Sequence, residues 1–312
     1  MLRVVSAGPA RGRIAMNSDA PDKFPEYLLL ALLALLWGAS YLFMKVALAE
    51  IPPVTLIAVR VTIAALFLML VMRVRSEQLP RDRRSWRMLL IQSFFNAIGA
   101  WIILAWGQQF VSAGLGSVLN STSPIFVFFI TLLLTRHEVV NWRKLIGACL
   151  GVLGVMVIVG TDALAGLGRE VAGQIAVLIS AMLYACAAIY GKRFTHLSAT
   201  ATAAGTMIWA MVILVPLSLW IDRPWLLRPS WSAVAAAGLL GLFSTGLALL
   251  IYFRLLKTLG SLGTASQSFL RAGVGVLLGI TFLDETLTTT VALGVCIAIL
   301  GVALINWPTA RR

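Results

Sequence analysis

Arg271 sits inside GTASQSFLRAGVGVLLGITFL, residues 263–283, twenty-one residues in which it is the only formal charge. That length suits a helix crossing ~30 Å of hydrocarbon. An arginine at such depth costs about 2.5–3.5 kcal/mol on insertion scales, so it is expected to face protein or a wet cavity. Gln267, four residues earlier, shares its helix face. Asn120 lies in the polar run NSTSP ahead of an apolar stretch, and Asn96 and Trp101 fall within another. Trp37 and Tyr184 complete a set whose chemistry is that of solute binding, and Tyr41, four residues after Trp37 on the same face, reads either as cavity lining or as an interfacial anchor. Aromatics stack on an organic molecule, amides orient it, and a guanidinium holds a carboxylate or phosphate. Each residue also has a structural reading. Asn96 can be interhelical glue, Trp37 an interfacial anchor, and Arg271 the centre of a purely internal network. Arg60, about two turns into its own apolar run, reads as a snorkelling side chain or the cap of a polar network.

Other chemistry is missing. There is no Walker loop, no HExxH and no nucleophile elbow. Glu26, Glu50, Glu138, Asp162, Glu170, Asp222, Asp284 and Glu285 all fall at predicted helix ends or in loops, so no carboxylate pair or midplane proton relay emerges. Coupling through Glu138 or Glu285, or by exchange, stays open. His137 and His196 form no ligand cluster, and Cys149, Cys186 and Cys296 read as small core residues. No metal and no cofactor are expected.

The elements that must hold these residues follow from composition. Of 312 residues, 60% are hydrophobic and 12% charged, with mean hydropathy +0.94. A soluble domain carries about 25% charged residues, so the chain reads as an all-α integral membrane protein. Ten transmembrane helices are predicted over 27–48, 54–72, 87–109, 116–135, 144–161, 172–192, 200–221, 232–253, 263–283 and 288–307. Within the fourth, Pro124 removes a donor and displaces the Asn120 carbonyl, which predicts a helix break at depth. The fifth and tenth carry glycine stripes suited to close packing.

A shift of 147 residues aligns Gly263 with Gly116, Gln267 with Asn120, Glu285 with Glu138, Gly294 with Gly147, Cys296 with Cys149 and Tyr184 with Trp37. The two copies each hold five helices, an odd number, so the second must enter the membrane upside down; this gives two inverted five-helix repeats, 27–161 and 172–307. Residues 1–26 make a disordered tail without a signal-peptide core, with Met16 an alternative start, and 308–312 a second short tail. The net charge of +13 concentrates in alternate loops, above all RVRSEQLPRDRRSWR, while Arg169, Arg223 and Arg228 lie on the other side. The bias places both termini in the cytoplasm of a multi-pass protein in the cell (inner) membrane, and makes a lipid bilayer rather than nucleic acid the partner of the basic loops. Monomer and homodimer are both compatible with the sequence.

With the segments WGASYLFMK, VRVTIAALFL, SAGLGSVLNSTSPIF, RHEVVNWRKLIGACLGVLGV and LDETLTTTVALGVCIAILGV in order and duplicated, residues 27–307 resemble the EamA family of the drug/metabolite transporter superfamily. The resemblance implies a ten-helix transporter, usually an exporter, with a central cavity bounded by the first, third, fourth, sixth, eighth and ninth helices. One departure stands out. Where relatives commonly carry Glu-Pro or a lone Pro, this chain has Arg271-Ala272. The expected function is therefore secondary-active or facilitative transport of small organic metabolites, with a cavity favouring anionic or zwitterionic solutes. The alternatives are a passive channel or a non-transporting membrane scaffold; an enzyme is not expected.

Overall fold

The computed structural model describes residues 24–134, 142–164, 168–259, 264, 267–286 and 288–306. The expected tails, apart from residues 24–26, lie outside the described residues, as do His137 and Glu138. Among the described residues all regular structure is helical: α1 (Phe24–Leu48), α2 (Pro53–Val74), α3 (Arg83–Gln108), α4 (Ala113–Asn120 resumed at Ser123–Leu134), α5 (Trp142–Leu164), α6 (Gly168–Gly191), α7 (Ala199–Ile221), α8 (Trp231–Thr258), α9 (Gln267–Leu283) and α10 (Thr289–Asn306). Seven of these are long and apolar enough to cross a membrane, and Leu145–Ile158, Leu270–Leu283 and Thr289–Leu304 are shorter apolar stretches. A helix satisfies its backbone internally, which is what hydrocarbon demands.

Local signals set the boundaries. Pro53 opens α2, where its missing N–H is an orphan donor in any case. Ser112, Ser198 and Ser230 cap α4, α7 and α8 by accepting from backbone amides three residues on. Asp82 caps α3 by accepting from Ser85 N at 2.7 Å, and bonds from the Ser85 amide and then its hydroxyl hold that carboxyl below its ordinary range. The outer surface is as apolar as the interior, with Leu66, Leu70 and Leu277 more than half exposed. Such a surface suits lipid rather than water. Cys149 and Cys296 belong to it. The expectation that they are core residues is corrected here: both are exposed, and only Cys186 is half-buried.

Packing is reciprocal between the two halves. α5 lies along α10 and α2 along α7; α1 packs on α9 as α4 packs on α6, and α3 packs on α6 as α1 packs on α8. The α5–α10 contact brings backbones together. A Cβ on Gly154 would stand 2.5 Å from Ala298 N, and one on Gly301 would stand 2.5 Å from Gly147 O. The third helix of each half also carries a π-helical turn, Phe94–Ile98 in α3 and Leu242–Leu247 in α8. Such turns place an extra residue in the helix and re-aim the side chains that follow.

Polar contacts sort the helix ends into two groups. At one end Glu26 meets Arg254 (2.9 Å) and Thr258, Ser198 donates to Glu77, and Ser85 meets His196. At the other, Ser230 donates to Glu50, Thr55 donates to Asp222, Lys45 reaches the end of α3, and Glu285 reaches the start of α4. α1 therefore runs from the first end to the second. α6 starts beside the end of α3, where Gly173 touches Gly107, and finishes at the first end.

Candidate functional site

The site is built around the interruption of α4. Its first segment ends at Asn120, Ser121 and Thr122 form a turn, and the helix resumes at Ser123, which puts Pro124 in a first turn where no donor is lost. Ser121 Oγ donates to Ser117 O at 2.8 Å and Thr122 Oγ1 to Leu119 O at 2.5 Å, so hydroxyls occupy carbonyls beside the break. Asn120 through Thr122 are all buried. The turn sets the Asn120 amide and the Ser121 hydroxyl toward the neighbouring helices.

From this turn a belt of polar and aromatic side chains crosses the interior. Tyr41 of α1 donates to Asn120 Oδ1 at 2.9 Å, and Asn120 Nδ2 donates to Ser180 Oγ of α6 at 3.3 Å. Tyr184, one turn beyond Ser180, accepts from Trp101 Nε1 of α3. The face of Trp101 carries the Arg60 guanidinium of α2, whose Cζ is 3.8 Å from the ring centroid. Arg60 Nε in turn donates to Thr245 Oγ1 at 2.8 Å, within the π turn of α8, while Thr245 donates to Leu240 O. On the opposite side of Asn120, Arg271 of α9 donates from Nε (3.3 Å) and Nη2 (3.1 Å) to Ser121 Oγ. Ser117 also donates to the Arg271 carbonyl at 3.1 Å.

Seven helices thus contribute to one connected set whose ends are two guanidinium groups. α5 and α10 supply none of its hydrogen bonds or ring contacts among the described residues. Among the described residues neither guanidinium meets a carboxylate; the ion pair there is Arg254 with Glu26, far from the belt at the first end. Arg60 is 4% exposed and Trp101 5%. A cation buried this deeply is held by the ring quadrupole and by one hydroxyl.

Of the residues expected from sequence, Trp101, Asn120, Tyr184 and Arg271 lie in the belt. Gln267 is buried one turn before Arg271, donates to Ser268 Oγ at 3.1 Å, and has no donor for its own Oε1. Asn96 sits half-buried in the α3 π turn with no side-chain hydrogen bond among the described residues. Trp37 lies apart. It packs on Tyr252 of α8, centroids 5.4 Å apart, in a separate cluster with Leu30, Leu33 and Ile251.

Sequence reasoning missed Ser180 and Thr245, put Tyr41 on a cavity-facing stripe with Trp37, and offered Arg60 as the cap of a polar network without naming its partners. A signal for Arg60 was present, since a charge two turns inside an apolar run is the reason for singling out Arg271. Ser180 and Thr245 carry no comparable mark.

Beyond the belt, at the second end, a clamp closes on the α3–α4 hairpin. Lys45 Nζ donates to Gln108 O and Val111 O, each at 2.8 Å, and Glu285 accepts from Ala113 N at 2.5 Å and Gly114 N at 2.9 Å. The cation thus meets the carbonyl end of one helix and the carboxylate the amide end of the next, each matching the local dipole. The Gln108 side chain, fully buried, donates to Tyr41 O at 2.6 Å and ties this clamp to the belt.

Comparison with known proteins places this arrangement. YoaV of Bacillus subtilis, named as an uncharacterized transporter, is 26% identical over 283 residues, covering 89% of this chain and 95% of YoaV. YedA of Escherichia coli K12, named as an uncharacterized inner membrane transporter, is 27% identical over 284 residues and 90% of each chain. A solved crystal structure, 17% identical, superposes with a TM-score of 0.63 over 90% of this chain and 96% of the other, which bears on the fold alone. The model of the EamA-like transporter family matches twice, over residues 24–160 and 171–307, so the chain belongs to the EamA-like transporter family of membrane proteins.

Proposed function

We propose that the protein is a secondary-active or facilitative carrier that moves small organic solutes by alternating access, with the belt as the wall of its central site. The observation that carries this reading is the belt itself: polar and aromatic groups from helices of both family-matched halves converge beside a broken helix, where a bilayer would otherwise exclude them. Trp101 and Tyr184 supply surfaces for stacking, Asn120 and Gln267 amides, and Arg271 a cation for an acidic group. Asn96 and Trp37 belong to the approach to this site rather than to its floor.

The carrier has ten spans in two inverted five-helix repeats. Reciprocal helix packing, π turns in both third helices, and the opposite courses of α1 and α6 support this. The first end carries Arg73, Arg75, Arg81, Arg83, Arg84, Arg87, Lys192, Arg193, Arg254 and Lys257, and the positive-inside rule makes it cytoplasmic, in the inner membrane. Export is the expected direction.

Counterflow in proteoliposomes tests the carrier. Saturable uptake stimulated by solute on the far side is expected, and linear, unstimulated flux would make the protein a channel instead. Within the carrier reading, Arg271→Gln should reduce transport of anionic solutes far more than that of cationic dyes.

A further inference from the structure

Donors and acceptors around the belt do not balance. Arg60 spends one of its five N–H groups, Nε on Thr245, and its terminal nitrogens make no hydrogen bond among the described residues. Arg271 spends Nε and Nη2 on a single hydroxyl, and its Nη1 has no partner among the described residues. Tyr184 accepts from Trp101, and its own hydroxyl donates to no group among the described residues. All three surpluses are donors, and two are cationic.

The position of Arg60 adds a second constraint. Its Nε is fixed by Thr245 and its plane lies against Trp101, so the fork formed by Nη1 and Nη2 is held rather than free to swing. Burial at 4% exposure denies it the snorkelling route to the headgroups. An arginine kept for packing alone would be expected to spend its remaining donors on carbonyls or hydroxyls, as Lys45 does on the end of α3. Buried Arg60 and half-buried Arg271, with no carboxylate against either among the described residues, leave a net charge that one acidic group on a ligand would only halve.

We propose that Arg60 is a second anion anchor of the transport site and that the solute is a small organic dianion, one acidic group held by the Arg60 fork and the other by Arg271. The Tyr184 hydroxyl donates to the same oxyanion as Arg60, and Trp101 keeps the guanidinium in place without neutralising it. The two anchors sit at opposite ends of the chain Trp101–Tyr184, Ser180–Asn120–Ser121, so the solute spans the belt and touches helices of both halves. Two separated anchors suit a dicarboxylate, whose acidic groups lie at opposite ends of one short chain, rather than a phosphate monoester, which carries both charges on one group.

This inference rests on the carrier reading but fails separately from it. The full-length protein in lipid nanodiscs is titrated with carbon-matched monoanions and dianions of three to eight carbons, including butyrate, succinate and glycerol 3-phosphate. Thermal shift gives binding and proteoliposome counterflow gives transport. The wild type should bind the preferred dianion at least about tenfold more tightly than its monoanionic partner, the margin expected of one additional charge-assisted fork.

Arg60→Gln should remove that margin while leaving monoanion binding in place, and Arg271→Gln should do the same. Arg60→Lys keeps the charge without the fork and should retain part of it; it also serves if the glutamine variant fails to fold. Glycerol 3-phosphate, with both charges on one group, should lack the margin that succinate shows; an equal margin for the two would overturn the spanning arrangement. Equal binding of matched monoanions and dianions by the wild type would overturn the proposal. So would Arg60 variants that change only the melting temperature of the unliganded protein, or that weaken all solutes alike. Stimulated counterflow without any dianion preference would leave the carrier and remove the second anchor, whereas dianion binding without stimulated flux would remove the carrier.

Discussion

Gly279 and Glu285 allow a prediction in which two effects have opposite signs. Gly279 is inside α9, and replacing a helical glycine by alanine ordinarily stabilises by about 1 kcal/mol. Here a Cβ at position 279 would overlap Glu285 Oε2 and stand 3.2 Å from Gly114 N. The carboxylate would be pushed off the amide end of α4, where it accepts from Ala113 N and Gly114 N. Each hydrogen bond to a charged group is worth about 1.5–3 kcal/mol, discounted here because Glu285 is partly exposed. Losing most of that pair should cost ~2–3 kcal/mol, which exceeds the propensity gain. Gly279→Ala is therefore expected to destabilise by about 1–2 kcal/mol, and Glu285→Ala by ~2–3 kcal/mol. Glu285→Gln, which keeps one acceptor oxygen, should fall between wild type and Glu285→Ala. The assay is thermal unfolding in nanodiscs together with hydrogen exchange at the Ala113 and Gly114 amides, which should quicken in all three variants. A Gly279→Ala protein more stable than wild type, with unchanged exchange at those amides, would refute the clamp.

Two further outcomes follow from packing and capping. Gly301→Val should wedge α10 from α5, because even a methyl there would stand 2.5 Å from Gly147 O, and should cost about 1–3 kcal/mol; Gly238→Ala, with no atom near its added carbon, should instead gain up to ~1 kcal/mol in the same melting assay. Asp82→Asn tests the α3 cap by pH: a carboxyl whose folded pKa is depressed contributes above its unfolded value near 4 and loses that contribution as pH falls through the folded one. Wild type should therefore be the more stable at neutral pH and the difference should close under acid; a difference independent of pH would assign the cap to shape alone.

Much of the site was legible in sequence because charge in hydrocarbon is conspicuous. Arg271 and Asn120 stand out by the cost of placing them there, and the structure joins both through the α4 turn. Arg60 carried the same mark, yet the sequence alone left snorkelling open. What closes that route is burial beneath Trp101, forty-one residues along the chain. Ser180 and Thr245 were invisible for a different reason. Serine and threonine are unremarkable in an apolar helix, where the hydroxyl can bond to its own backbone, as Thr62 does to Ala58 O. Only the neighbouring helix decides whether that hydroxyl becomes part of a network. The cysteines show the converse, since apolar surroundings in sequence did not distinguish a core-facing from an outward-facing position.

By itself the sequence determined that this is a helical membrane protein made of two related halves. Hydropathy and length act on each segment independently of its neighbours, and duplication is a property of the string. Which face of each helix turns inward was decided only by tertiary structure. In water the apolar stripe announces the core, but here lipid-facing Leu66 and Leu70 are as apolar as buried Leu68, so periodicity carries no inside–outside signal. Small residues and interhelical hydrogen bonds make that choice instead, and they act between segments far apart in the chain.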